Sequence, residues 1–236
     1  MTFATKFGKP MAGLHEQHRG SRAYVALAVE ASLKRLQTDH IDLLWMHEPD
    51  PSTPIEETFR ALEDLRKAGK VGHIGSSNFT AAELEDASKA AKKIGVAGFL
   101  GAQDEYSLTH RAHEKTLFPT LKKLGLGLVP YFPLGGGALT GKYRKGKPLP
   151  AGTRHTDPGG RFLGPHWDTI EKLHAFAETR GHTLLELAMS WLARQPLVVS
   201  IIAGATKPEQ VELNAKSVAW ELTPAEMAEV DTITAA

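Results

Sequence analysis

Compact apolar runs recur along this chain, and longer stretches of helical periodicity separate them. Residues 3–6, 41–46, 71–75, 99–103, 127–131 and 198–202 are short, mostly apolar and bounded by turn residues, which predicts six strands. Behind Ser21, an N-cap residue, Val25, Leu27, Ala28, Ala31, Leu33 and Leu36 recur at helical spacing. Thr53 is placed to cap a second helix, with Pro54 at its first position and Glu56 and Glu57 near the positive end of its dipole. Ala68-Gly69 then marks a helix C-terminus. Further helices are predicted over 80–93, weakly over 113–123, and over 168–180, 184–194, 208–216 and 224–233. The Gly- and Pro-rich stretch 133–165 is too long for an ordinary connection and is expected to be a functional loop.

Strands alternating with helices predict a parallel sheet with right-handed crossovers. At roughly 30 residues per βα unit, about six units fit the chain, as an incomplete (β/α)8 barrel forming a single domain over 1–236. A complete barrel needs about two units more.

The composition narrows the chemistry. With 236 residues, 42% hydrophobic and 23% charged, the chain has the make-up of a soluble globular protein. The absence of cysteine removes disulfides, thiolate zinc sites, iron–sulfur clusters and a thiol nucleophile. A net charge of +1 gives no footprint for nucleic acid or an anionic membrane. No apolar run approaches a membrane span, and the first residues lack the apolar core of a signal peptide, so the cytoplasm is the expected compartment.

Lys6 and His47 fall at the ends of the first and second strands, where barrel chemistry collects. A neutral imidazole there can orient a carbonyl or relay a proton, and a nearby ammonium favours its neutral form. Ser77 and Asn78 close the third strand and Gln103 the fourth; their amides and hydroxyl can read a carboxamide, or serve as plain turn residues. Tyr131, ending the fifth, offers a flat face to a ring. Gly136 to Lys142 matches G-x-x-x-x-G-K but continues into Tyr143 and no helix, so it is no hydrolytic P-loop, while Lys142 remains a phosphate contact. Gly204-Ala205-Thr206 leads into a helix whose N-terminus suits an anion. His15-Glu16-Gln17-His18 and the His110/His113 pair lack metal-ligand spacing. Asp104 and Glu105 are adjacent carboxylates at a strand end; alternation sends them to opposite faces, one buried or turned outward.

With these motifs in view, the chain resembles the aldo-keto reductases nearly end to end, through ATKFG (4–8), 32–50, 53–78, QDEYSLTHR (103–111), 130–146 and 201–214. It is similar to the bacterial branch that includes potassium-channel β-subunits. The resemblance implies a (β/α)8 barrel that binds NADPH and reduces aldehydes or ketones, with a small carbonyl compound as substrate. It assigns catalytic roles to Lys6 and His47. Ser77, Asn78 and Gln103 match residues that hold the nicotinamide carboxamide, and Tyr131 the aromatic that stacks on the ring. Leu134, Gly135, Leu139, Lys142, Gly204, Ala205, Thr206, Gln210 and Asn214 match the pyrophosphate and adenosine side. Leu213 departs from the Glu often found before that Asn, and Gln210 stands where some relatives carry Arg. The family's catalytic Asp and Tyr lie upstream of the ATKFG strand and have no match here; Tyr24 falls in the following helix instead. Three readings follow: a reductase whose chain is recorded short, a cofactor-binding module without turnover, and an inactive remnant. The cofactor reading requires Lys6, His47, Asn78, Gln103 and Tyr131 to surround one nicotinamide.

Overall fold

The structure is a computed structural model that describes residues 2–10 and 18–235. The motif 15–17 and most of the loop 8–20 lie outside the described residues. The chain divides into two compact units. One runs to Asp104 and adds Glu114–Leu128; the other takes Glu105–His113 and everything from Val129.

The first unit contains the sheet. In chain order it holds β1 (Ala4–Phe7), α1 (Arg22–Leu36), β2 (Ile41–Met46), α2 (Ile55–Lys67), β3 (Val71–Ser77), α3 (Ala81–Ile94) and β4 (Gly101–Gln103). α4 (His113–Thr116) begins the return of the chain, followed by α5 (Phe118–Leu124) and β5 (Gly127–Leu128). The five strands lie side by side in sequence order, every pair parallel. Helices therefore carry the chain back between strands, as parallel pairing demands. α1 packs on α2, α2 on α3 and α3 on α5. Ile41, Leu44, Phe59, Leu62, Leu84, Leu121 and Leu128 are buried in its core. The Trp45 ring lies over Gly75, its neighbour across β2 and β3; an added Cβ would stand 2.4 Å from that ring.

Local chemistry sets most boundaries. Ser21 caps α1 by accepting the Tyr24 N–H, and Thr80 with Glu83 forms a capping box on α3. α3 and α5 each end on a left-handed glycine, Gly95 and Gly125. Four expectations need correction. Thr53 does not cap α2: its hydroxyl donates to Asp50 at 2.7 Å, and Pro54 takes the cap position. The stretch 113–123 breaks into two helices at Leu117, just ahead of Pro119. The strand expected over 127–131 ends at Leu128, and Tyr131 forms an isolated bridge to Glu105. Among the described residues the sheet has five strands rather than six, because 198–202 forms no ladder strand.

The second unit is helical. It contains α6 (Trp167–Glu178), α7 (Leu184–Ala193), α8 (Pro208–Lys216) and α9 (Pro224–Thr234), with α6 against α7 and α9. Trp191, Tyr106, Tyr143, Leu173 and Leu187 form its buried centre. Residues 198–202 are joined to the segment after β5 through the Ile202 N–H, which donates to the Pro130 carbonyl at 3.4 Å. Val199 is 70% exposed. Apolar content favoured a strand there, but strand formation also requires a neighbour offering carbonyls and amides at ladder spacing.

Asp50 ties the turn after β2 to the start of α1. Its carboxylate accepts from the Gly20 and Ser52 N–H groups and from the Ser52 and Thr53 hydroxyls. Burial pushes the carboxyl up, but these bonds outweigh it and hold the pKa at about 2. A lowered carboxylate pKa contributes stability above the unfolded value and loses it as pH falls through the folded one. Asp50→Ala is expected to cost about 2 kcal/mol at neutral pH. In urea unfolding, the gap between wild type and variant should close as pH drops from about 4 to about 2.

Candidate functional site

The ends of β1 to β4 bring five of the expected residues, Lys6, His47, Ser77, Asn78 and Gln103, into one neighbourhood. In the parallel ladder Lys6 faces Trp45, and His47 lies two residues beyond Trp45, so Lys6 and His47 share a face. The His47 N–H donates to the Phe7 carbonyl at 2.8 Å, holding the β2 end beside β1. Ser77 pairs with Gln103 across β3 and β4.

Hydrogen bonds tie these ends together. The Asn78 side-chain amide donates to the His47 carbonyl at 2.8 Å and to Ser77 Oγ at 3.1 Å. Ser77 Oγ donates to the Gln103 carbonyl at 2.6 Å. The Asn78 backbone N–H donates to Asp104 Oδ1 at 2.9 Å. Asn78 adopts φ 60°, the left-handed region that asparagine tolerates better than other non-glycine residues. Its side chain can then reach back across β2 while its N–H serves Asp104.

The electrostatics follow from burial and from a shortage of countercharge. Lys6 is half-buried and has no carboxylate partner among the described residues. Burial, then the Lys9 ammonium, lowers its pKa. Burial, Lys9 and Lys6 push His47 down to about 4, against the opposite pull of Glu48. The imidazole is therefore neutral at neutral pH. Glu48 itself is engaged by Arg19 at 2.8 Å.

At this cluster two buried oxygens have no hydrogen-bond partner: Gln103 Oε1 and Asp104 Oδ2. Buried acceptors without donors cost free energy and mark a place a ligand donor would fill. The orphaned Gln103 oxygen, beside Ser77 and Asn78, fits the N–H of a carboxamide. Asp104 and Glu105 are both buried, Asp104 against Asn78 and Glu105 in an ion pair with Arg161. Of the two alternatives expected for one of them, buried or turned outward, the structure shows burial, and it buries both. The sequence marked Asp104 as a strand-end carboxylate but gave no reason to join it to the cluster; only its bond to the Asn78 N–H does so.

The remaining expected residues belong to the second unit. Tyr131 is half-buried, with its ring 5.3 Å from Phe132 in an edge arrangement. Residues 135–140 form a 3-10 turn, with positive φ at Gly135, Gly136 and Gly137. A Cβ on Gly136 would meet the Phe162 ring at 2.6 Å. Leu134 is half-buried, while Gly135 and Leu139 are buried, so the Leu139 side chain serves packing. Lys142 is exposed and lies over the Tyr143 ring. Gly204, Ala205 and Thr206 are exposed before α8. Gln210 Oε1 accepts the Thr206 N–H at 2.7 Å and thereby closes that turn. Asn214 lines an apolar groove of about 450 Å³ with Val198, Val211 and Val218. Among the described residues, no group of three or more His, Asp or Glu is placed to hold a metal ion. Among them too, no helix is long and apolar enough to cross a membrane.

Comparison with known proteins adds the context for this geometry. The model of the aldo/keto reductase family matches residues 1–235. A Schizosaccharomyces pombe protein named as a voltage-gated potassium channel subunit beta is 36% identical over 90% of this chain and 64% of its own length. An Arabidopsis thaliana protein named in the same way is 37% identical over 84% of this chain and 62% of its own. The Bacillus subtilis oxidoreductase YrpG is 36% identical, over 92% of this chain and 67% of its own length. The chain thus spans less than two thirds of the length of the first two relatives.

The His47 environment has a direct readout. In NMR titrations of the ring, His47 should stay neutral until the pH approaches about 4. Lys6→Met removes one of the cations that disfavour its protonation, so the midpoint should rise in that variant. A midpoint near the ordinary histidine value in the wild type would contradict the burial described.

Proposed function

The chain belongs to the aldo/keto reductase family, and from that premise we propose that it binds NADPH at the strand ends for the reduction of aldehydes or ketones to alcohols. One observation carries the reading. Ser77, Asn78 and Gln103 form a single hydrogen-bonded cluster that leaves a buried acceptor, Gln103 Oε1, unfilled. A nicotinamide carboxamide supplies the matching donor. In the second unit, taken by itself, Tyr131 offers a ring face. Leu134, Gly135, Leu139, Lys142 and the segment from Gly204 through Asn214 are the residues proposed for the phosphates and adenosine.

NADPH, when bound, supplies a hydride to the carbonyl carbon. The chain's own groups bind, orient and stabilise charge, and solvent water supplies the proton that converts the alkoxide to the alcohol. Ser77, Asn78 and Gln103 hold the carboxamide and so fix which face of the ring is presented. Neutral His47 donates a hydrogen bond to the substrate carbonyl oxygen. The Lys6 ammonium stabilises the negative charge that develops on that oxygen. Its charge also lowers the pKa of any hydroxyl donor placed beside it. The family's Tyr and Asp have no match in these 236 residues.

A second reading is cofactor binding without turnover. Lys6 favours it: its ammonium has no carboxylate partner among the described residues, whereas the complete family site pairs it with an Asp. Binding and turnover separate the two readings. NADPH fluorescence should change saturably as the protein is added, and Gln103→Leu should weaken binding by about tenfold, the worth of one buried hydrogen bond. Aldehyde turnover by this chain alone should fall well below that of a full-length relative. Turnover equal to such a relative would remove the second reading. Absence of cofactor binding would remove both.

A further inference from the structure

We propose that Asp104 is a specificity-determining residue that makes the site discriminate between the oxidised and the reduced nicotinamide, because its buried carboxylate favours the cationic ring of NADP+ over the neutral ring of NADPH. The inference rests on the cofactor reading above and assigns a role to a residue that reading does not use. Asp104 is 2% exposed. One carboxylate oxygen accepts the Asn78 N–H, and the other is buried without a partner. Asn78 in turn belongs to the cluster proposed for the carboxamide. The carboxylate therefore stands one residue away from the nicotinamide subsite. With Gln103 Oε1 also unfilled, the cluster is rich in acceptors and poor in donors. A ligand that brings an amide N–H and a positive charge complements it, and the oxidised ring brings both.

The surroundings leave Asp104 free to titrate on its own. Facing it from β3 is Asn78, which is uncharged. The β2 end contributes His47, neutral down to a pH of about 4. The cations of the β1 segment, Lys6 and Lys9, act on His47, whereas the Asp104 carboxyl responds to its burial and to the Asn78 N–H. β5, the other neighbour of β4, is Gly127–Leu128 and carries no charge. The next residue in the chain, Glu105, is ion-paired with Arg161. Burial raises the Asp104 carboxyl to about 7, and the Asn78 N–H pulls it back only in part. Asp104 thus gains its negative charge as pH rises through neutrality. A charge in a buried site acts on a neighbouring charge far more strongly than in water. By linkage, a ligand that prefers ionised Asp104 drives its proton off on binding.

The test needs no turnover. Dissociation constants of NADP+ and NADPH are measured by fluorescence and calorimetry between about pH 5.5 and about pH 8.5, the range over which Asp104 changes charge. The 2′-phosphate also titrates there but is common to both cofactors, so it cancels in their ratio. In the wild type, the preference for NADP+ relative to NADPH should grow by about tenfold as pH rises, equivalent to one unit of differential interaction. Near neutral pH, NADP+ binding should release more protons to buffer than NADPH binding does, the 2′-phosphate contribution being common to both. Asp104→Asn keeps a side-chain oxygen for the Asn78 N–H and removes the titrating charge, so its ratio should be independent of pH. A flat ratio in the wild type, or a slope retained in Asp104→Asn, overturns the proposal. Should the variant fail to fold, the difference in proton release between NADP+ and NADPH binding by the wild type decides the matter alone. Failure to bind either cofactor at any pH defeats the cofactor reading itself, a different result from binding without a pH slope.

Discussion

Asn78 gives up a comfortable backbone conformation, and three strand ends are held together in return. In the left-handed region its side-chain amide reaches the His47 carbonyl on β2 while its N–H reaches Asp104 beyond β4. Ser77 extends the same chain of bonds to the Gln103 carbonyl. Without that turn the ends of β2, β3 and β4 would present separate backbone groups to solvent. With it they form one cluster whose geometry β2, β3 and β4 over-determine. Strained conformations persist where neighbours compensate for them, and here the compensation is several hydrogen bonds.

The charges around that cluster are unbalanced. Lys6 has no carboxylate partner among the described residues. His47 is kept neutral by burial and by two lysines, and Asp104 is sunk beneath Asn78 with an oxygen to spare. A protein stabilised for folding alone would pair or expose such groups, because buried polar atoms without partners are costly. Asp50, on the same unit, shows the contrasting arrangement: four donors converge on it and its carboxylate stays ionised to low pH. The difference separates a carboxylate that organises the fold from one that leaves capacity for a ligand.

Much of the first unit was legible from local pattern. β2 matched its apolar run, and the cap at Ser21 and the stop after Lys67 matched their turn chemistry. These signals depend on nearest neighbours in the chain. The misses share the opposite property. Thr53 had a good cap sequence, yet Asp50 offered a better acceptor through the fold of the turn. Residues 198–202 had a strand composition, but a strand also needs a partner.

The chain by itself determined the parallel order of strands and helices, the absence of thiol chemistry, the family to which it belongs, and the identity of the residues at the ends of the first four strands. Those follow from periodicity, composition and motif, which are written along one dimension. Only the tertiary structure decided that Asn78 turns left-handed to bind His47 and Asp104, that Gln103 keeps an unfilled oxygen, and that Asp104 and Glu105 are both buried. Each of those facts concerns which groups find hydrogen-bond partners across strands, and partner choice depends on the register and closeness of segments far apart in the chain.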